Sequence, residues 1–76
     1  MIAVRLYAHL APVAGGRPAE FQVEARPGLT VRDVVVEAGV RPEDVYIVIL
    51  NGTRVDLAAP LTDGDRLGLF PAVSGG

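Results

Sequence analysis

The sequence predicts an α+β domain in which a mixed sheet of four to five strands carries one main helix on one face. Three observations support this class: short alternating segments near both ends of the chain, one central segment with helical spacing, and a continuous apolar run after it. The 76 residues suffice for one domain. We assign residues 1–70 to that domain and expect residues 71–76 to form a flexible tail ending in two glycines.

The first two strands are predicted from period-two alternation over residues 2–8 and 20–24. Their apolar positions are Ile2, Val4 and Leu6 in the first strand, and Phe21 and Val23 in the second. The connector between them contains proline and glycine, and its Gly15-Gly16 pair is typical of a turn. His9, the only histidine, is expected to be a surface or turn residue.

A short helix is predicted to begin after Thr30. The Thr30 hydroxyl can accept a hydrogen bond from the backbone N–H of Asp33, and an acid favours the start of a helix. The apolar positions that follow form one helical stripe, which consists of Val31, Val34, Val35 and Ala38. Gly39 is placed to end the helix in a left-handed conformation. Since about two turns are not stable alone in water, the helix must pack on the sheet.

Three further strands are predicted in the second half of the chain. Residues 45–50 form a continuous apolar run, and Asn51-Gly52 is the strongest short signal for a hairpin. Residues 53–55 form the return strand, and residues 66–70 form the last strand, which Pro71 ends because it lacks a backbone N–H.

The order of these elements predicts the sheet topology. The first and last strands pack well side by side and parallel, with the helix in the crossover between them. The last strand then lies inside the sheet and projects the tail from a rigid base. Gly68 within that strand indicates a bulge or a close backbone approach.

One helix covers only one face of the sheet, so the apolar run 45–50 also has side chains on the other face. If Val48 and Leu50 face the helix, the uncovered face carries a patch suited to docking a partner. That patch consists of Tyr7, Ile47, Ile49 and Phe70. A slip of one residue would reverse every side chain, and burial by loops of the same chain is the alternative interpretation.

Composition excludes several functions. A net charge of −2 argues against nucleic-acid binding, and the absence of cysteine excludes disulfides and thiolate chemistry. All seven basic residues are arginine, so no lysine is available for linkage to another protein. The Asp63-Gly64-Asp65 segment lacks the ligands of a calcium loop, and we expect a turn there and no metal site. We expect neither a membrane span nor a signal peptide, and hence a cytoplasmic protein.

The last 17 residues carry the most specific pattern. Residues 60–65 are Pro-Leu-Thr-Asp-Gly-Asp, and residues 70–76 are Phe-Pro-Ala-Val-Ser-Gly-Gly. This pattern resembles the MoaD/ThiS family of β-grasp, ubiquitin-like sulfur carriers, and within it the small subunit of molybdopterin synthase. That subunit typically has P-L-x-D-G-D, a short apolar strand, and then F-P-P-V-[ST]-G-G. Ala72 departs from the pattern, which usually has a second proline there.

The resemblance implies a carrier subunit with no catalytic activity of its own. A ubiquitin-activating-like adenylyltransferase would join the Gly76 carboxylate to AMP, with ATP bound by that enzyme and no cofactor bound by this chain. Sulfur from a desulfurase would then convert Gly76 to a thiocarboxylate. In the large catalytic subunit, within a heterotetramer, the sulfur would pass to the molybdopterin precursor of molybdenum or tungsten cofactor.

The resemblance also assigns roles within the tail. Gly75 keeps the approach to Gly76 free of side chains. Val73 and Ser74 line the partner's tunnel, whereas Phe70 and Pro71 anchor the base of the tail. For Phe70, ordinary core packing is the alternative interpretation.

Other functions share this fold and tail. Related carriers supply sulfur for thiamin, for cysteine or for tRNA thiolation, and a ubiquitin-like modifier would join Gly76 to lysines of target proteins. A pure interaction domain would keep the docking patch and would not need Gly75 and Gly76.

Overall fold

The structure is a computed structural model that describes residues 1–7 and 20–71. The elements are β1 (Ile2–Leu6), β2 (Glu20–Val23), α1 (Val31–Glu37), a 3-10 helix (Pro42–Asp44), β3 (Val45–Leu50), β4 (Thr53–Val55) and β5 (Arg66–Pro71). This order confirms the predicted α+β class with its one main helix. The predictions for His9 and Gly15-Gly16 and for the tail residues 72–76 lie outside the described residues.

The five strands form one mixed sheet in the order β2-β1-β5-β3-β4. β1 and β5 are parallel, and the other neighbouring pairs are antiparallel. The last strand therefore occupies the centre of the sheet, as predicted. Its end was predicted one residue too early, because Pro71 still pairs with Val45. Proline lacks a donor but keeps its carbonyl, so it is tolerated at the terminal position of a strand.

One hydrophobic core lies between α1 and the sheet. Its buried residues are Ile2, Val4, Leu6, Leu29, Val31, Val34, Val35, Ala38, Val40, Val48, Leu61, Leu67 and Leu69. All four positions of the predicted helical stripe belong to this core. Every second residue of β1 and β5 lies in this core. The residues between them therefore point to the side of the sheet that α1 does not cover.

The predicted cap starts α1. The backbone N–H of Asp33 donates to Thr30 Oγ1 at 3.3 Å, and the backbone N–H of Thr30 donates to Asp33 Oδ2 at 3.0 Å. These reciprocal bonds form a capping box. The backbone N–H and hydroxyl of Thr30 lower the pKa of the Asp33 carboxyl. After α1, Gly39 has a φ of 82°, the left-handed conformation that the sequence predicted for it.

The β3–β4 hairpin turns at Asn51 and Gly52, whose φ angles are 51° and 84°. Positive φ at both central residues is typical of the type I′ turn, which matches the twist of the strands. The sequence did not predict a register shift between Val45 and Ile47. Tyr46 is the extra residue there, and 64% of its side chain is exposed.

Candidate functional site

The uncovered side of the sheet carries an apolar surface beside the end of β5. We call this surface, formed by Tyr7, Ile47, Ile49, Gly68 and Phe70, the open-face platform. The register of β3 and β5 pairs Ile47 with Phe70 and Ile49 with Gly68. Residues paired in this way share a face, so all four point away from α1. Their side chains are half-buried, which leaves apolar area available for contact with a partner.

Tyr7 and Phe70 form the centre of the platform. Their rings stack in parallel, with centroids 4.1 Å apart and an interplanar angle of 7°. The backbone N–H of Tyr7 donates to the carbonyl of Leu69 at 3.0 Å, so the stack is fixed by the β1–β5 pairing as well as by ring contact. Two aromatic rings are therefore held at the position from which residues 72–76 continue.

Gly68 permits this arrangement. A Cβ atom at position 68 would lie 3.2 Å from Cε2 of Tyr7 and 3.5 Å from Cε1 of Phe70. The first distance is tighter than ordinary van der Waals contact, so the Tyr7 ring lies low on the sheet only because position 68 has no side chain. The sequence predicted a bulge or a close backbone approach at Gly68, whereas the group that comes closest there is the side-chain ring of Tyr7.

Charged side chains border the platform. Arg5 is paired with Gly68 across the β1–β5 ladder, forms an ion pair with Glu20, and has its guanidinium carbon 6.0 Å from the centroid of the Tyr7 ring. Arg66 begins β5 on the same face, and Arg54 of β4 is paired with Ile49. Arg5 and Arg66 line one continuous groove with the platform residues Tyr7, Ile49, Gly68 and Phe70.

A polar network ties the hairpin to the start of β5. The side-chain amide of Asn51 donates to Asp65 Oδ1 at 2.9 Å, and its oxygen accepts from the backbone N–H of Arg66 at 2.9 Å. The backbone N–H of Thr62 donates to Asp65 Oδ2 at 2.8 Å. The N–H of Thr62 and then the amide of Asn51 lower the pKa of Asp65 below its ordinary value of 3.8.

The predicted site residues divide into two groups. Tyr7, Ile47, Ile49 and Phe70 lie together on the open face, as the predicted register requires, and their role in binding a partner stays a prediction. Pro71 is buried in the alternation that also buries Leu67 and Leu69, so it lies on the opposite face from Phe70. Val73, Ser74, Gly75 and Gly76 lie outside the described residues.

Sequence reasoning missed the arginines at the rim. The alternation that placed the apolar residues of β1 toward the core also placed Arg5 on the open face, and the same holds for Arg66 in β5. Among the residues that the structure describes, no cluster of acidic or histidine side chains is positioned to hold a metal ion. The Asp63-Gly64 segment forms a turn, as predicted. No helix within residues 1–7 and 20–71 is long and apolar enough to cross a membrane.

The strand order and the single main helix define a class, the β-grasp or ubiquitin-like proteins. The sequence pattern of the ThiS family matches residues 4–76, and the chain belongs to this family of ubiquitin-like sulfur carriers and modifiers. Comparison with curated protein sequences gives no match.

Solved structures agree with this assignment. SAMP1 from Haloferax volcanii is 30% identical, with a TM-score of 0.73 and coverage of 99% of this chain and 98% of that one. A Pyrococcus furiosus protein assigned as molybdopterin converting factor subunit 1 is 28% identical, with a TM-score of 0.70 and coverage of 95% and 97%. In a complex of subunits 1 and 2 of molybdopterin-converting factor from Helicobacter pylori, the matching chain is 25% identical, with a TM-score of 0.61 and coverage of 99% and 97%.

Proposed function

We propose that this protein is the sulfur-carrying small subunit of molybdopterin synthase. The observation that carries the proposal is the junction at the end of β5. A central strand ends beside the stacked rings of Tyr7 and Phe70, and the segment that follows has the Pro-Ala-Val-Ser-Gly-Gly sequence of that subunit, apart from Ala72. A strand held on both sides gives the tail a fixed base, which a group that must enter another protein's active site requires.

In this proposal the chemistry takes place on Gly76. A carboxylate is a poor electrophile, so it must first be activated. On the adenylyltransferase, the Gly76 carboxylate attacks ATP, which forms the Gly76 adenylate and releases pyrophosphate. The terminal sulfur of a desulfurase-derived persulfide then displaces AMP and forms an acyl disulfide. A second thiol of the sulfur donor reduces this S–S bond, which leaves Gly76 as a thiocarboxylate and the donor as a disulfide. The thiocarboxylate donates its sulfur to the molybdopterin precursor in the large subunit. This chain supplies neither ATP binding nor catalysis, and its location with these enzymes in the cytoplasm stays a prediction.

The residues around the junction have separate roles. The open-face platform docks the large subunit, since burying its apolar side chains excludes water and aromatic residues are common anchors of interfaces. Gly75, Ser74 and Val73 pass through the partner's tunnel. Pro71 supports the base of the tail from the core side rather than from the docking side, because it is buried.

Two of the similar structures favour this pathway. One is assigned as subunit 1 of molybdopterin converting factor, and the other is such a subunit in complex with subunit 2. The complex is the reason for proposing a large-subunit partner for this chain, and the heterotetramer expected from the sequence belongs to the same proposal.

The test is the intact mass of the purified chain after incubation with ATP, a cognate adenylyltransferase and a sulfur donor. We expect a mass gain equal to the exchange of one oxygen for one sulfur. A variant that lacks Gly76 is the control and should not gain mass. Adding the cognate large subunit and the pterin precursor should then return the original mass and give the dithiolene product. If no sulfur is incorporated, the carrier function is wrong; if sulfur is incorporated but not transferred, the acceptor belongs to thiamin, cysteine or tRNA thiolation.

A protein modifier is the second candidate. The likeness to SAMP1 from Haloferax volcanii, whose counterparts are named small archaeal modifier proteins, favours it. An affinity-tagged chain expressed in its own cells would then form covalent conjugates that a variant lacking Gly75 and Gly76 does not form. Finding only free protein in both samples would contradict this candidate.

A further inference from the structure

The open face differs in charge from the rest of the molecule. Three arginines and one glutamate, Arg5, Arg54, Arg66 and Glu20, lie on it or at its border. The chain as a whole has nine acidic residues against seven arginines. The described residues of the face that carries the platform therefore have a net positive charge, although the protein as a whole is acidic.

The register arranges part of this charge in a row across four strands. Arg5 pairs with Gly68, Gly68 pairs with Ile49, and Ile49 pairs with Arg54. Arg5 and Arg54 thus lie at the two ends of this row, and its centre, Gly68 and Ile49, is apolar. Arg66 lies on β5 two residues before Gly68, which places a third guanidinium on the same face below the row.

The arginines differ in how much of their charge is available. Arg5 forms an ion pair with Glu20, which largely satisfies it. Arg54 and Arg66 have no ion-pair partner among the described residues, and both are exposed. On the helical side, by contrast, Arg26 and Arg41 are paired with Glu37 and Asp44. Arg32 on α1 also has no ion-pair partner among the described residues, so two of the three uncompensated arginines lie next to the platform.

From this arrangement we propose that the partner docked on the open-face platform presents carboxylates around an apolar contact, so that Arg54 and Arg66 steer it onto Ile49, Tyr7 and Phe70. The proposal rests on the proposed function for the identity of the partner, the large subunit, and adds the charge of its docking surface. Charges at the rim of an interface act mainly on the association rate and on its dependence on salt. The apolar platform supplies the contact that holds the complex once it has formed.

Charge reversal provides a matched test. Arg66→Glu and Arg54→Glu change the charge at the platform, whereas Arg32→Glu makes the same change on the exposed side of α1, on the opposite face of the sheet. All three sites are exposed, and circular dichroism should show that the three variants fold as the wild type does. Association and dissociation rates with the immobilised cognate large subunit are measured by interferometry at low and high salt.

We expect each platform variant to lower the association rate by about tenfold at low salt and to change the dissociation rate by less than about threefold. The Arg32→Glu variant should stay within about twofold of the wild type, and the association rate of the wild type should fall as salt increases. If the wild type binds but all three variants behave alike and salt has no effect, the charge proposal is wrong and the docking function stands. If the wild type does not bind the large subunit at all, the molybdopterin function falls and takes this proposal with it.

Discussion

At the scale of single residues, Gly68 determines the geometry of the platform. A glycine inside a strand ordinarily weakens the sheet, because it loses more backbone entropy on folding than other residues do and has no side chain to pack. Here the ring of Tyr7, from the neighbouring strand, covers the position that a side chain would occupy. Covering a glycine with a cross-strand aromatic ring restores packing to that point of the sheet. The stacking of Tyr7 on Phe70 therefore depends on the absence of a side chain at position 68.

Replacing Gly68 with Val tests this feature. The two γ-methyl groups would extend toward the Tyr7 ring, which already lies 3.2 Å from the position of a Cβ atom. We expect the ring to be displaced and the free energy of unfolding to fall by about 1–3 kcal/mol, the usual cost of overpacking. Urea unfolding measures the loss, and tyrosine near-ultraviolet circular dichroism reports the ring. Thr53→Val, at an exposed position of β4, should change neither; an unchanged Gly68→Val variant would show that Tyr7 is not held by this contact.

Asn51 is the second residue with a specific role, and its replacement by Asp gives a pH-dependent prediction. The substitution keeps the acceptor for Arg66 but replaces the donor to Asp65, 2.9 Å away, with a second acceptor. We expect the free energy of unfolding to fall by roughly 1 kcal/mol at neutral pH because the hydrogen bond is lost. Repulsion between the carboxylates at positions 51 and 65 adds to this loss.

The sign of the pH dependence follows from the direction of the pKa shift. In the wild type the lowered pKa of Asp65 stabilises the fold above 3.8, and this stabilisation is lost as the pH falls through the lower folded-state pKa. In the Asn51→Asp variant a shared proton relieves the repulsion, so its stability should approach that of the wild type as the pH falls. Asn51→Gly, which suits the positive φ, is the control without a charge; equal pH profiles for the two variants would contradict this assignment.

At the scale of elements, α1 is short and depends on its cap and on the sheet. Seven residues form few internal hydrogen bonds, so the capping box and the buried valines account for most of its stability. The backbone of α1 also forms hydrogen bonds with the segment that follows β4. The N–H groups of Val31 and Arg32 donate to the carbonyls of Ala59 and Leu57, at 3.0 and 2.9 Å. The segment after β4 therefore closes the first turn of the helix.

Thr30→Ala removes the side-chain half of the cap. We expect the free energy of unfolding to decrease by about 1 kcal/mol, because the N–H of Asp33 loses its acceptor. Thr30→Ser keeps the hydroxyl, so its free energy of unfolding should decrease by only a few tenths of this amount. Urea denaturation followed by far-ultraviolet circular dichroism measures both variants; equal losses would mean that the methyl group, and not the hydroxyl, is important at this position.

The elements also show what the sequence could predict. Strands and helix followed from periodicity, and the hairpin from Asn51-Gly52, because these signals are local. The extra residue at Tyr46 and the burial of Pro71 were not predictable, since both depend on how β3 is aligned with β5, two segments distant in the chain. The platform was predicted only under an assumed register. Alternation within β1 and β5 already placed Arg5 and Arg66 on the open face, whereas the row from Arg5 to Arg54 followed only from the pairing of four strands.

At the scale of the whole molecule, thirteen of the described residues are buried in the core of a small domain. Small domains bury a limited share of their surface and are stable by a few kcal/mol, so single core residues carry a large share of that stability. Leu69 is completely buried in the central strand, and it lies between Gly68 and Phe70, which face the other side of the sheet.

Leu69→Ala should therefore unfold much of the population. We expect a cost of about 2–5 kcal/mol, from lost burial and from the cavity left at the centre of the sheet. The comparison is Ile49→Ala, which truncates a half-exposed side chain of the platform and should cost about 1 kcal/mol. Thermal and urea unfolding of both variants measure the difference. Equal costs would place the packing centre of the domain on the open face instead of under α1.

The position of β5 has a mechanical consequence. A partner that draws the tail inward pulls along the axis of the central strand, whose hydrogen bonds to β1 and β3 run across that direction. Such a pull loads both ladders in shear, so their bonds share the force rather than opening one after another as in a zipper. The domain is therefore strongest against force along the line in which its own tail would be pulled.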